Sequence, residues 1–133
     1  MSKKVTVIPC SGIGKVHGLL ARELAYKLVN ELCPEETDTA CLGYIVTEDE
    51  EISERMSVGK CITIDGCPKM CAAKSVAHVG GTVAEQFRVV DILKEYRGAK
   101  PGTATLLNEA GWNIVDGAAE KLAASVRKTY GEV

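Results

Sequence analysis

Six cysteines in a chain of 133 residues are the groups best equipped for chemistry here. Cys10 follows the β-branched run Val5 to Ile8 and then Pro9, and Cys67 follows Ile62-Thr63-Ile64-Asp65-Gly66. Both therefore fall where a strand gives way to a turn. Cys71 lies one helical turn beyond Cys67, on the same side of the chain if that segment is helical. A helix start presents unpaired N–H groups and a positive dipole end, both of which favour thiolate over thiol. Thiolates gathered in this way would bind a metal, with zinc the best match.

The spacing alone is only moderately specific. Zinc ribbons and fingers pair cysteines two to four residues apart, and Cys67-x3-Cys71 is one such pair with no second beside it. Further ligands would have to come from distant loops. The C-x2-C repeats of ferredoxin clusters are missing, and Ala72, Ala73 and Lys74 after Cys71 exclude the three-cysteine run of radical enzymes. Cys33, before Pro34, and Cys61, at the start of a strand, read as small buried hydrophobes. A turn is a poor place to hide Cys67 and Cys71, and those two read as functional.

Three other chemistries compete. Cys10, Cys67 and Cys71 could cycle between dithiol and disulfide or carry sulfur or a soft metal. An iron–sulfur cluster is a second possibility. The turn Gly12-x-Gly14-x3-Gly18 between a strand and a helix is where nucleotide and phosphate sites are built. It departs from the G-x-G-x-x-G fingerprint by one residue, and Gly14-Lys15 lacks the Ser/Thr of a P-loop. These glycines are expected to let the backbone turn closely beside Cys10, with an anion site the weaker option. His17, near the same edge as Cys10, is the better of the two histidines as an outside ligand, and His78 reads as a surface residue. Asp65 reads as a turn-forming aspartate, with an acid/base role as the alternative. Trp112, the single tryptophan, reads as a core or docking residue.

The elements that must position these groups can be read from periodicity. Val5 to Ile8 predicts a buried parallel strand. Leu20, Leu24, Leu28 and Leu32 predict a core-facing helix over Val16 to Cys33, stopped by Pro34. Between Pro34 and Gly59 the pattern is mixed and acidic. Asp38 or Thr39 would cap a short helix carrying Cys41, Leu42 and Ile45, a strand over Leu42 to Val46 is the alternative, and Asp49 to Met56 would form a further helix. Ile62 to Ile64 form a second strand, followed by a helix over Lys69 to Val79 that stops at Gly80-Gly81. A third strand is expected around Phe87 to Asp91, although Val83 to Tyr96 also reads as a helix. Asn113 would open the last helix, with Ile114, Ala118, Leu122 and Val126 on one face. The order predicts one small three-layer α/β domain, a short parallel sheet flanked by helices.

Composition narrows the function classes. Sixteen basic against eighteen acidic residues give a net charge of −2, and no stretch concentrates basic residues on one face, which argues against nucleic-acid binding. No apolar stretch approaches the ~20 residues of a membrane span, and the short N-terminal apolar run reads as a strand and not a signal peptide. A cytoplasmic protein with reduced thiols is the expectation, which turns six cysteines away from disulfides and toward metal or thiol chemistry.

The segment Ile64-Asp65-Gly66-Cys67-Pro68-Lys69-Met70-Cys71-Ala72, with Pro9-Cys10-Ser11-Gly12 before it and Cys41-Leu42 in between, resembles the DGC-domain proteins, a family of small prokaryotic proteins. Their defining triplet corresponds to Asp65-Gly66-Cys67, and the similarity runs from Val5 to about Asp91. The resemblance implies a four-cysteine zinc site made of Cys10, Cys41, Cys67 and Cys71, and it is the only argument for Cys41. Four sulfurs would close the coordination sphere, making the site structural or metal-handling; three would leave a position open for catalysis or transfer. The resemblance implies no particular reaction and no protein partner.

Overall fold

Near-continuous burial along a strand is the mark of a sheet covered by helices on each face, and β1 (Val5–Cys10) has it. Val5 and Val7 join one buried cluster, whereas Ile8 and Cys10 join another. The computed structural model of the chain describes residues 4–10, 16–39, 50–52, 54, 59–66, 71–103 and 105–131. Within them run α1 (Val16–Lys27), β2 (Thr37–Thr39), β3 (Lys60–Asp65), α2 (Cys71–His78), β4 (Thr82–Arg88), α3 (Val89–Leu93) and α4 (Glu109–Gly131). The four strands form one parallel sheet in the order β2-β1-β3-β4. This is the three-layer α/β arrangement expected from the sequence.

The two faces are covered by different helices. Leu20, Leu24 and Leu28 of the first helical segment pack with Val5, Val7, Ile62 and Ile64, and α4 lies over the same face through Ile114, Ala118, Leu122 and Val126. On the other face Ala72 and Val76 of α2 pack with Ile8 and Cys61. Right-handed crossovers require this division, because the chain leaves β1 toward β2 on one side but leaves β3 toward β4 on the other. The carboxyl ends of β1 and β3 are therefore neighbours whose following helices diverge to opposite faces. Such a switch point leaves a crevice at the edge of a doubly wound sheet.

Several boundaries differ from the sequence reading. The helix starting at Val16 is α-helical only to Lys27 and then widens into a π turn over Leu28–Leu32, closed by Cys33 N–H donating to the Leu28 carbonyl at 2.7 Å. Asp38 and Thr39 do not cap a helix; they lie in β2. That strand carries no apolar signal, and side chains tie it to β1: Thr6 Oγ1 donates to Asp38 Oδ1 at 2.8 Å and Thr39 Oγ1 donates to the Val7 carbonyl at 2.7 Å. The third predicted strand begins earlier, at Thr82, and Asp91 falls in α3, where it receives the Arg88 guanidinium at 2.8 and 3.1 Å. Of the predicted helix over Asp49 to Met56, residues 50–52 and 54 are described and are helical; Leu42 to Val46 lie outside the described residues.

The C-terminal end of α2 is stopped by local chemistry. At its C-terminus Gly80 takes φ 81°, and the N–H groups of Gly81 and Gly80 donate to the Val76 and Ala77 carbonyls at 2.9 and 3.1 Å. This pair of bonds is a Schellman closure, which needs a left-handed residue at that position. The last helix is opened by Asn108 and not by Asn113. Asn108 Oδ1 accepts the Gly111 N–H at 2.9 Å, three residues on, as an N-cap does. Asn113 is an exposed interior residue of α4.

Asn108→Ala is accordingly expected to lower the stability of the domain by about 1 kcal/mol. Asn113→Ala should leave it unchanged or raise it slightly, since alanine is the better helix former. Urea denaturation of the two variants distinguishes the caps, and equal losses would contradict the assignment.

Candidate functional site

At the switch point, β1 and β3 end in register, with Cys10 the Cα partner of Asp65. Both side chains belong to the face that α2 covers. Asp65 is 1% exposed, and its carboxylate reaches up to the first turn of α2. Oδ1 accepts the Ala72 N–H at 2.7 Å and Oδ2 accepts the Ala73 N–H at 3.4 Å. The last residue of β3 thus anchors the start of the helix that follows it. Burial pushes the Asp65 carboxyl above its ordinary value, and the two backbone donors and the nearby charge of Lys74 oppose that rise without cancelling it.

Gly66 is needed for a different reason. A Cβ at this position would lie 2.8 Å from the Gly18 Cα and N and from the His17 carbonyl carbon, all backbone atoms of the first turn of α1. The close approach is backbone on backbone, so no side chain can move aside to admit a larger residue. Asp65 and Gly66 together hold the starts of both diverging helices against the end of β3. The sequence reads Asp65 as a turn former; an aspartate closing a strand a few residues before a helix start is the signal for the anchoring role.

Cys10 and Cys71 belong to one apolar cluster on this face. Cys10 is buried in the small cluster with Ile8, Cys61, Ala72 and Val76, and Cys71, the first residue of α2, packs against the same cluster at intermediate exposure. Cys41 and Cys67 lie outside the described residues. Among the described residues no three His, Cys, Asp or Glu side chains gather as a metal-holding group. Cys33 is fully buried in the main core, where burial pushes its thiol up, and Cys61 is buried beneath α2. No disulfide joins Cys10, Cys33, Cys61 or Cys71.

The remaining candidates distribute as follows. His17 sits in the first turn of α1 against Gly66, at the same edge, and His78 is exposed at the far end of α2. Gly12 and Gly14 lie outside the described residues, while Gly18 is buried where α1 meets Gly66. Trp112 is not a core residue: it is 46% exposed. Two of the first N–H groups of α2, those of Ala72 and Ala73, are taken by Asp65 and do not serve a thiolate. One further polar group lies on this face: the buried Thr63 hydroxyl has no hydrogen-bond partner among the described residues.

These features define a doubly wound α/β domain with Cys10 and Cys71 on the face that α2 covers at its switch point. The DGC domain matches residues 6–110, and the chain belongs to that family. No curated protein and no solved structure matches it. Among the described residues no helix is long and apolar enough to cross a membrane.

Asp65→Ala should destabilise the domain by about 1–3 kcal/mol, the cost of leaving buried N–H groups unsatisfied. Asp65→Asn, which retains an acceptor oxygen, should lose less than half as much. Gly66→Ala should cost about 1–3 kcal/mol through overpacking. Denaturant melts of the three variants test the anchoring role; an Asn variant as unstable as the Ala variant would show that charge, and not the hydrogen bonds, holds α2.

Proposed function

We propose that this chain is a zinc-binding domain in which Cys10, Cys41, Cys67 and Cys71 hold one metal ion at the carboxyl edge of the sheet. The observation that carries the reading is the placement of Cys10 and Cys71 on one small cluster at the switch point, although 61 positions separate them in the sequence. Two residues of chain, at most about 7 Å, tether Cys67 to Asp65 at that same edge. The donor set is soft sulfur, which suits zinc better than a hard cation.

Closed by four sulfurs, zinc would supply a structural crosslink or a metal-handling centre, with no position open for water. The chain's own residues set the conditions for this. Asp65 and Gly66 keep the starts of α1 and α2 close together at the mouth of the crevice, and the packed cluster beneath excludes water from Cys10. Four thiolates around a divalent ion carry a net −2, so the site needs donors of positive charge. Lys74 is near enough to act on Asp65, and the Thr63 hydroxyl is a spare donor on the same sheet face. The compartment consistent with reduced thiols is the cytoplasm.

Anaerobically purified protein is expected to contain about one zinc per chain, and cobalt in its place should give the charge-transfer absorption of tetrahedral thiolate ligation. Cys10→Ser and Cys71→Ser should each abolish stoichiometric binding, while Cys33→Ala should retain it. Iron with matching sulfide would reassign the centre to a cluster. A folded wild type without metal, with a reversible disulfide between Cys10 and Cys71 or Cys67, would replace zinc binding with thiol redox chemistry.

A further inference from the structure

Away from the cysteine edge, α1 and its π turn run beside the N-terminal part of α4 and leave a groove of about 430 Å³. Three large apolar side chains stand out as exposed among the described residues: Tyr26 at 47%, Leu106 at 72% and Trp112 at 46%. Two of the three, Tyr26 and Trp112, line this one groove. Neither ring is needed for the core, since α4 packs inward through Gly111, Ile114, Val115 and Ala118, and Trp112 sits at the margin of that stripe. A tryptophan held half out of water beside a tyrosine is the composition of a protein contact and not of an ordinary solvated helix face.

The charges in the groove give the chemistry of the occupant. Its lining carries the carboxylates of Glu23, Glu31 and Asp116 against the single ammonium of Lys27. Lys27 Nζ lies 3.3 Å from Glu31 Oε1 and 3.3 Å from Asp116 Oδ1, so it engages one oxygen of each. Those two side chains remain 61% and 60% exposed, with their second oxygens available to another donor. Glu23 is reached by Arg22 only at 3.8 Å. The π turn sets Asn30 and Glu31 at the groove, and such turns recur at functional sites.

Aromatic faces beside partly satisfied carboxylates recognise a cation that also carries apolar or planar surface, and a guanidinium does both. We propose that this groove docks an arginine side chain presented by a basic segment of a partner polypeptide. The groove lies open along two helices, so a side chain tethered to a longer segment gains contacts that a free small cation would not. Trp112, Val115 and Asp116 fall beyond residue 110, where the DGC match ends. The groove is thus built with the C-terminal helix and is separate from the cysteine edge.

Because Trp112 is the only tryptophan, its emission reports on this groove alone. The probe is a short capped peptide with paired arginines in a glycine background, titrated into the full chain beside its neutral citrulline counterpart. The expected result is a saturable emission change with the arginine peptide that weakens as salt is raised and is absent with citrulline. By calorimetry, Trp112→Leu should bind about two- to five-fold more weakly. A double variant, Glu31→Gln with Asp116→Asn, should lose the salt dependence while circular dichroism shows an unchanged fold. No saturable response up to about 10 mM, where even a millimolar affinity is visible, overturns the proposal. Equal binding of the citrulline peptide overturns it as well.

Discussion

The carboxyl edge of this sheet depends on one buried carboxylate. Asp65 ends β3, lies beside Cys10 across the strand pair, and accepts the first available N–H groups of α2. The first N–H groups of α2 would otherwise lack these acceptors in a buried corner, and the end of β3 would lack its tie to the helix. With Asp65 bridging them, the corner closes and Gly66 lets α1 approach from the other side. The starts of α1 and α2 are therefore held against the end of β3, on whose α2-covered face Cys10 and Cys71 pack.

This arrangement has an electrostatic consequence for any metal the cysteines hold. The donors a helix start would normally lend to a thiolate are partly committed to Asp65, whose carboxyl burial already makes costly to ionise. A sulfur-ligated divalent ion in the same corner would add negative charge beside it. Positive charge from Lys74, which already acts on Asp65, would then have to offset it.

The two ends of the molecule are organised by different parts of the chain. The cysteine edge falls within the DGC match, whereas the aromatic groove needs α4, most of which lies beyond it. The same helix closes the core over α1 and carries Trp112 on its outer margin, so stability and surface chemistry are joined in one element.

Much of this was legible in the sequence because it is local. The leucine spacing of α1, the β-branched runs of β1 and β3, and the apolar stripe of Ile114, Ala118, Leu122 and Val126 follow from backbone periods that any helix or strand imposes. The parallel three-layer class follows from their order. β2 was not legible, since its three residues carry no apolar pattern and are held by hydroxyl and carboxylate contacts to β1, 32 positions away. The last helix was entered five residues too late, because an asparagine shows itself as a cap only when the residue three positions on is known to donate to it. The sequence alone offered the cysteines as candidate ligands and set Cys67 just past β3, whereas Cys10, read as following its strand, is the last residue of β1. Only the tertiary structure decided that β1 and β3 are neighbours with helices diverging between them, that Cys10 and Cys71 share one cluster, and that Asp65 is a helix anchor. The reason is physical: strand order and cross-strand register come from packing two helical layers onto one sheet, and no local propensity encodes them.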